Sequence, residues 1–163
     1  MKKVLFVCMG NICRSPAAEG IFKKFVQDKK LGNVITVDSA GTIGYHDGEL
    51  PDARMRKLAS KFNYILDSRA RKFNPNHDFE EYDYIVTMDD NNYYDVVKSD
   101  TNNKYLKNIF KMADFINDPD ISEVPDPYYG GDKDFIQVIE LLEKGAENLL
   151  KKIEDDIERD NKK

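Results

Sequence analysis

Cysteine is scarce in this chain of 163 residues: there are two, Cys8 and Cys13, five positions apart. Such a pair is not the disulfide framework of a small secreted domain. Histidine is equally scarce. A zinc site would have to draw on Cys8, Cys13, His46 and His77, and the two histidines lie far apart with no paired spacing. No metal or cofactor is therefore expected, and both histidines are assigned to solvated surface. Excess positive charge is also missing, since 25 Lys and Arg against 30 Asp and Glu leave a net charge of −5. That balance gives no support to a non-specific nucleic-acid or membrane-surface partner. No apolar run is long enough to span a bilayer and no N-terminal signal pattern appears, which makes the cytoplasm the expected location. Nor is there an internal repeat, a low-complexity segment or a linker. With 40% apolar and 34% charged residues, the composition is that of one globular domain over residues 1–163.

What the chain does have is concentrated near its start, in Cys8-Met9-Gly10-Asn11-Ile12-Cys13-Arg14-Ser15. An apolar run, Val4-Leu5-Phe6-Val7, precedes it with the length and composition of a buried strand. Ser15 is placed to cap a following helix, with Pro16 at its first position. A thiol thus sits on a short loop between a strand and a helix N-terminus. Backbone N–H groups of such a loop converge on one point, where the helix dipole adds positive potential. The arrangement holds an oxyanion and stabilises a thiolate. Arg14 supplies a planar fork for two phosphate oxygens. A cysteine with an arginine six places on recurs by chance, and a free cysteine is ordinarily an inert core residue. The preceding strand, Gly10, Asn11 and the Ser15-Pro16 pair favour the cradle over that bland reading.

Periodicity organises the rest. Ala17, Ile21, Phe22, Phe25 and Val26 lie on one face of a helix over 16–30, which Leu31-Gly32-Asn33 should stop. Residues 34–37 read as a second strand, 44–48 as a glycine-rich loop and 52–62 as a helix carrying Met55, Leu58, Ala59 and Phe62. The basic stretch 68–75 suggests no element. A third strand over 84–88, a short Asp-capped helix over 89–97 and a short fourth strand over 109–112 follow. Residues 118–131 are loop, and 132–158 form the longest helix, with a charged, frayed tail over 158–163. The expected fold is α/β: a single-domain, doubly wound, mostly parallel four-stranded sheet with helices on both faces and a phosphate-binding loop after the first strand. Such sheets bind ligands beyond the carboxyl ends of their strands, where Cys8 lies.

A thiolate facing a phosphate monoester can displace the alcohol and become a phosphocysteine for water to hydrolyse. The leaving oxygen then needs a proton. Asp126, in Asp126-Pro127-Tyr128-Tyr129-Gly130-Gly131, is the best candidate acid, although Asp-Pro before tyrosines is ordinarily a surface turn and Asp118-Pro119 is another of the same type.

Residues 7–16 together with Asp126-Pro127-Tyr128-Tyr129 resemble the low-molecular-weight protein tyrosine phosphatase family. The likeness extends through Val37-Asp38-Ser39-Ala40-Gly41-Thr42, Tyr82-Asp83-Tyr84-Ile85 and Met88-Asp89. It implies Cys8 as nucleophile, Arg14 as phosphate clamp and Asp126 as general acid, then base. It implies that Met9, Gly10, Asn11, Ile12, Cys13, Arg14 and Ser15 bind phosphate. Ser15 would hydrogen-bond the thiolate, and Asn11, tied to Ser39, would hold a left-handed turn that Asn tolerates. By the same resemblance Ile12, Tyr45, Tyr128 and Tyr129 wall a phosphotyrosine cleft. Taken alone, Cys13 reads as packing, metal ligand or redox partner. The resemblance implies a reversible disulfide with Cys8, consistent with the reversible branch of cysteine oxidation.

One departure stands out: where many relatives carry a histidine ahead of an Ala-Arg pair, this chain has Ser68. Among rivals, a thioredoxin-coupled arsenate reductase would need further cysteines after Cys13, and there are none. Phosphoarginine phosphatases place Thr where Ile12 stands, and a catalytically silent phosphoprotein-binding module would not need Cys8, Arg14 and Asp126 together. The expected partners are a tyrosine-phosphorylated protein or aryl phosphate and a phosphate-like oxyanion in the loop. Weak self-association through the tyrosine-rich surface is left open.

Overall fold

A computed structural model describes residues 1–163. The elements run, in chain order, β1 (Lys2–Cys8), α1 (Arg14–Asp28), β2 (Ile35–Gly41), α2 (Ala53–Lys61), α3 (Pro75–Glu81), β3 (Tyr84–Thr87), α4 (Asp90–Lys98), β4 (Ile109–Lys111), α5 (Ala113–Ile116) and α6 (Asp132–Asn161), with two single 3₁₀ turns before β4. The four strands are all parallel, in the order β2-β1-β3-β4. β1 is central, paired from Lys2↔Ile35 to Cys8↔Gly41 on one side and from Val4↔Tyr84 to Val7↔Thr87 on the other.

Side chains alternate across β1, and both faces are covered. Val4, Phe6 and Cys8 join Ala17, Ile21 and Phe22 of α1 and Val138, Leu142 and Leu149 of α6 in the larger core. Leu5 and Val7 pack on the opposite side with Phe73, Phe79, Val96 and Ile109. A strand buried twice over reads as an unbroken apolar run, which is why Val4-Leu5-Phe6-Val7 is so visible in sequence. Strand order reverses at β1, where β2 lies to one side and β3 to the other. The loop leaving Cys8 opens at that switch point.

Three local expectations need correction. α1 starts at Arg14, with Cys13 as its N-cap and no side-chain cap, so Pro16 is the third helical residue rather than the first. Ser15 caps nothing because its hydroxyl is turned to the Cys8 thiol, 3.0 Å away. The end of α1 is made by Lys30, not by Gly32 or Asn33: Lys30 takes the left-handed conformation (φ 58°). Its N–H donates to Gln27 O at 2.9 Å, and Leu31 N–H donates to Val26 O at 2.9 Å. That is the two-bond Schellman ending, with Leu31 packed on the core as its apolar contact. Finally, α6 continues past Glu158 to Asn161, and Asp160 is ion-paired with Lys2 at 2.8 Å, which ties the helix end to the start of β1. No helix is long and apolar enough to cross a membrane.

Candidate active site

The loop between β1 and α1 folds around the Cys8 sulfur. Asn11 N–H donates to Sγ at 3.3 Å, and Ser15 Oγ lies 3.0 Å from it. Ser15 Oγ accepts a hydrogen bond from Asn11 Nδ2 at 2.7 Å, so its single proton is free for the sulfur or for the more distant Ala40 O at 3.4 Å. Asn11 makes the loop's left-handed turn (φ 58°), a conformation Asn visits more readily than other non-glycine residues. Its amide is fully engaged behind the loop: Nδ2 also donates to Ser39 Oγ at 3.0 Å, and Oδ1 accepts from Arg71 N at 3.0 Å. Ser39 Oγ in turn donates to Glu19 at 2.6 Å. Ser68 takes no part in this chain of bonds, whose outer member is Glu19.

On the outside of the loop, the carbonyls of Cys8, Met9 and Ile12 accept from the amides of Thr42, Ile43 and Asp52, at 2.9, 3.1 and 2.8 Å. The approach to β2 is close: a Cβ on Gly41 would stand 2.7 Å from Met9 O and 3.1 Å from Asn11 N. Only glycine permits the loop to lie there.

Arg14 is buried, and its aim is fixed from two sides. Nη1 donates to Asp89 Oδ2 at 2.7 Å and to Val124 O at 3.0 Å. Nη2 stands 3.7 Å from Asp126 Oδ2. Burial works against the guanidinium charge, but Cys8, Asp89 and Asp126 outweigh it and hold the pKa above its ordinary value. Asp89, two residues past β3, caps α4, its other oxygen accepting from Asn92 N at 2.8 Å. Asp126 Oδ1 accepts from Tyr128 N at 3.1 Å in an Asx turn, and the side chain remains 40% exposed.

These groups surround a cavity of about 360 Å³. Cys8, Met9, Gly10, Ile12, Cys13, Arg14, Tyr45, Asp126, Tyr128 and Tyr129 all line it, whereas Asn11, Ser15 and Ser39 are buried behind the loop. Tyr45 and Tyr129 stand at the mouth, 84% and 95% exposed, each edge-on to a neighbouring ring, His46 and Tyr128. Cys8 and Cys13 are both free thiols, and burial together with Asp52 pushes the Cys13 thiol well up from its usual range.

His46 corrects the sequence reading. It lines the cavity rather than the open surface, with its ring against Gly10 and Nδ1 bonded to Glu49. The i, i+3 spacing to Glu49 was the one signal available. His77 is exposed, as expected, with Nδ1 3.1 Å from Asp78 Oδ1, and it lies apart from the cavity. The cavity thus holds no zinc-like set of two thiols and two imidazoles. Sequence reasoning also missed Ile43, another lining residue, and Asp89, Arg71 and Glu19 behind the loop.

A family model described as low molecular weight phosphotyrosine protein phosphatase matches residues 3–159. The chain belongs to that family. Among its low molecular weight phosphatase relatives is YfkJ of Bacillus subtilis, 37% identical over 154 residues, which cover 94% of this chain and 97% of the relative. The Homo sapiens low molecular weight phosphotyrosine protein phosphatase is 36% identical over 151 residues, covering 93% and 95%. A crystal structure of the Entamoeba histolytica protein tyrosine phosphatase, with Hepes in its active site, superposes at a TM-score of 0.91 with 47% identity, covering 95% of this chain and 98% of that one. The phosphatase fold of these relatives is the all-parallel four-stranded sheet described above.

Proposed function

We propose that the chain is a protein tyrosine phosphatase that works through a phosphocysteine at Cys8. The observation that carries this reading is the convergence over one cavity of Cys8 Sγ, backed by Asn11 N–H and the Ser15 hydroxyl, with Arg14 and Asp126, which meet at 3.7 Å. The Arg14 fork and loop amides bind the equatorial phosphoryl oxygens. The Cys8 thiolate attacks phosphorus and the bond to the phenolic oxygen breaks, that oxygen taking a proton from Asp126. Water then attacks the phosphocysteine. Its proton passes to the Asp126 carboxylate, the P–S bond breaks, and inorganic phosphate and the thiolate are released. No metal takes part in this scheme.

The substrate is a tyrosine-phosphorylated protein or a small aryl phosphate. The cavity walls support an aromatic ester: Ile12 beside the cradle, with Tyr45, Tyr128 and Tyr129 around the mouth. The test is turnover of phosphotyrosine, phosphoserine and phosphoarginine peptides side by side, in the wild type and in Cys8→Ser. Phosphotyrosine should be preferred, and Cys8→Ser should lose turnover while still binding vanadate. A preference for phosphoarginine would move the substrate class, and activity in Cys8→Ser would end the covalent scheme.

A further inference from the structure

Three loops line the cavity, and the two that carry Cys8 and Asp126 come from opposite ends of the sequence. The phosphate loop is anchored on nearly every residue, but the acid loop is not. Across residues 125–130 the one hydrogen bond arriving from another element is from Arg54 Nη2 to Tyr128 O, at 3.0 Å. The remaining bonds there are local, from Tyr128 N to Asp126 and from Gly130 N to Pro127 O.

Arg54 is itself held in place. Its Nε and Nη2 donate to the two oxygens of Asp52, at 3.2 and 3.0 Å, a two-point grip that fixes the plane of the guanidinium. The group lies over two rings, 4.7 Å from the Phe135 centroid and 5.4 Å from that of Tyr128. Phe135 belongs to the first turn of α6 and is wholly buried, so it gives the guanidinium a rigid floor. Asp52 is the N-cap of α2, and its own N–H donates to Ile12 O in the phosphate loop at 2.8 Å. The amino end of α2 therefore grips both loops, Ile12 through a backbone bond and Tyr128 through Arg54.

We propose that Arg54 is a positioning residue that sets the acid loop in register with the phosphate loop, and so places the Asp126 carboxyl over the leaving oxygen. This rests on the phosphatase reading above. Arg54 touches neither substrate nor the reacting atoms; it acts through Tyr128, two residues from Asp126. Lysine cannot take its place fully, because one ammonium cannot hold the Asp52 carboxylate and the Tyr128 carbonyl while covering two rings.

The test compares Arg54→Ala, Arg54→Lys and, as a control, Arg56→Ala, whose Nε bond goes back to Pro51 O on its own helix entrance. Each change is made in the wild type and in Asp126→Ala. Measured in single turnovers, which isolate the phosphorylation step from the shared hydrolysis of the phosphocysteine, Arg54→Ala should lower phosphotyrosine cleavage about tenfold, with little effect on p-nitrophenyl phosphate. It should steepen the dependence on leaving-group pKa and do nothing further once Asp126 is gone. Arg54→Lys should recover only part of the loss, and Arg56→Ala should match the wild type. An equal loss on every leaving group, or a full loss added to that of Asp126→Ala, would overturn the proposal.

Amide hydrogen exchange of the 125–131 peptide gives a readout independent of activity. It should be faster in Arg54→Ala and unchanged in Arg56→Ala. Unaltered exchange would overturn the clamp even if the wild type proved to be an active phosphatase. Faster exchange in a protein without phosphotyrosine turnover would instead retain the clamp and reject the phosphatase reading.

Discussion

Asp89 uses its two carboxylate oxygens for two different tasks: Oδ1 caps α4 through Asn92 N–H at 2.8 Å, and Oδ2 holds Arg14 Nη1 at 2.7 Å. A helix cap just beyond β3 thereby orients the Arg14 guanidinium at the start of α1. The two tasks are separable. Asp89→Asn keeps an oxygen for the cap but can place an amide NH₂ against the guanidinium. It should lose the stability that comes from pairing the buried guanidinium, and kcat/KM should fall by roughly 10²-fold, the cost of an oriented group displaced by about 1 Å. Asp89→Ala should lose activity similarly and, in addition, about 1 kcal/mol of stability for the missing cap. Urea unfolding beside steady-state kinetics measures both. Normal activity in Asp89→Asn would show that Val124 O suffices to hold Arg14.

Much of this was legible because the informative residues are close in sequence. Cys8 to Ser15 carry the thiol, the fork and the turn within one strand-loop-helix step, and β1 announces itself by being buried on both faces. Ser39 followed from the family pattern. Asp89 was visible as a helix cap and as part of the family pattern, but nothing local tells which distant cation its second oxygen meets. Arg71 was hidden for a different reason. It reaches Asn11 through its backbone N–H, a group every non-proline residue has, from a stretch without periodicity. The Lys30 terminus was equally invisible, since propensity assigns a left-handed ending to Gly or Asn before Lys. The four-residue α5 and seven-residue α3 are too short for a periodic stripe to emerge.

Cys13 lines the same cavity as Cys8, and burial together with Asp52 pushes its thiol well up from its usual range. Mild peroxide should convert Cys8 to the sulfenic acid, which condenses with the Cys13 thiol to a disulfide and water. Inactivation of the wild type should then be reversed by dithiothreitol, with the Cys8–Cys13 linkage visible by mass spectrometry. In Cys13→Ser the sulfenic acid has no such partner and recovery should decline with exposure time. Equal recovery in both proteins would leave Cys13 a packing residue.

Glu19 is the outer member of the loop-supporting chain, accepting from Ser39 at 2.6 Å. Burial raises its pKa, Asp38 and Asp67 push the same way, and the Ser39 bond and Lys23 only partly oppose them. The folded chain thus binds this proton more tightly than the unfolded chain. Stability should fall as pH rises from the unfolded carboxyl range, near about 4.3, through the higher folded value. Glu19→Gln keeps an acceptor for Ser39 but cannot ionise. The variant should be more stable than the wild type at about pH 7, with the difference closing toward about pH 4. Urea unfolding at the two pH values measures it, and a gap of constant size would mean that Glu19 ionisation does not matter to the fold.

Asp126 and Asp118 make the same local structure with different surroundings. Each is followed by proline, and each accepts from the amide two residues on, Tyr128 N at 3.1 Å and Asp120 N at 2.9 Å. Only Asp126 faces the cavity. A general acid matters in proportion to the leaving group's need for a proton: p-nitrophenolate leaves readily, whereas the phenolate of tyrosine, with a pKa near about 10, does not. Losing such an acid typically costs roughly 10²–10⁴-fold. Asp126→Ala should therefore slow phosphotyrosine cleavage far more than p-nitrophenyl phosphate cleavage and steepen the dependence of the phosphorylation step on leaving-group pKa. Single-turnover measurements are required, because hydrolysis of the phosphocysteine otherwise masks the first step. Asp118→Ala should leave that dependence unchanged. If Asp118→Ala steepens it and Asp126→Ala does not, the acid lies on the other turn.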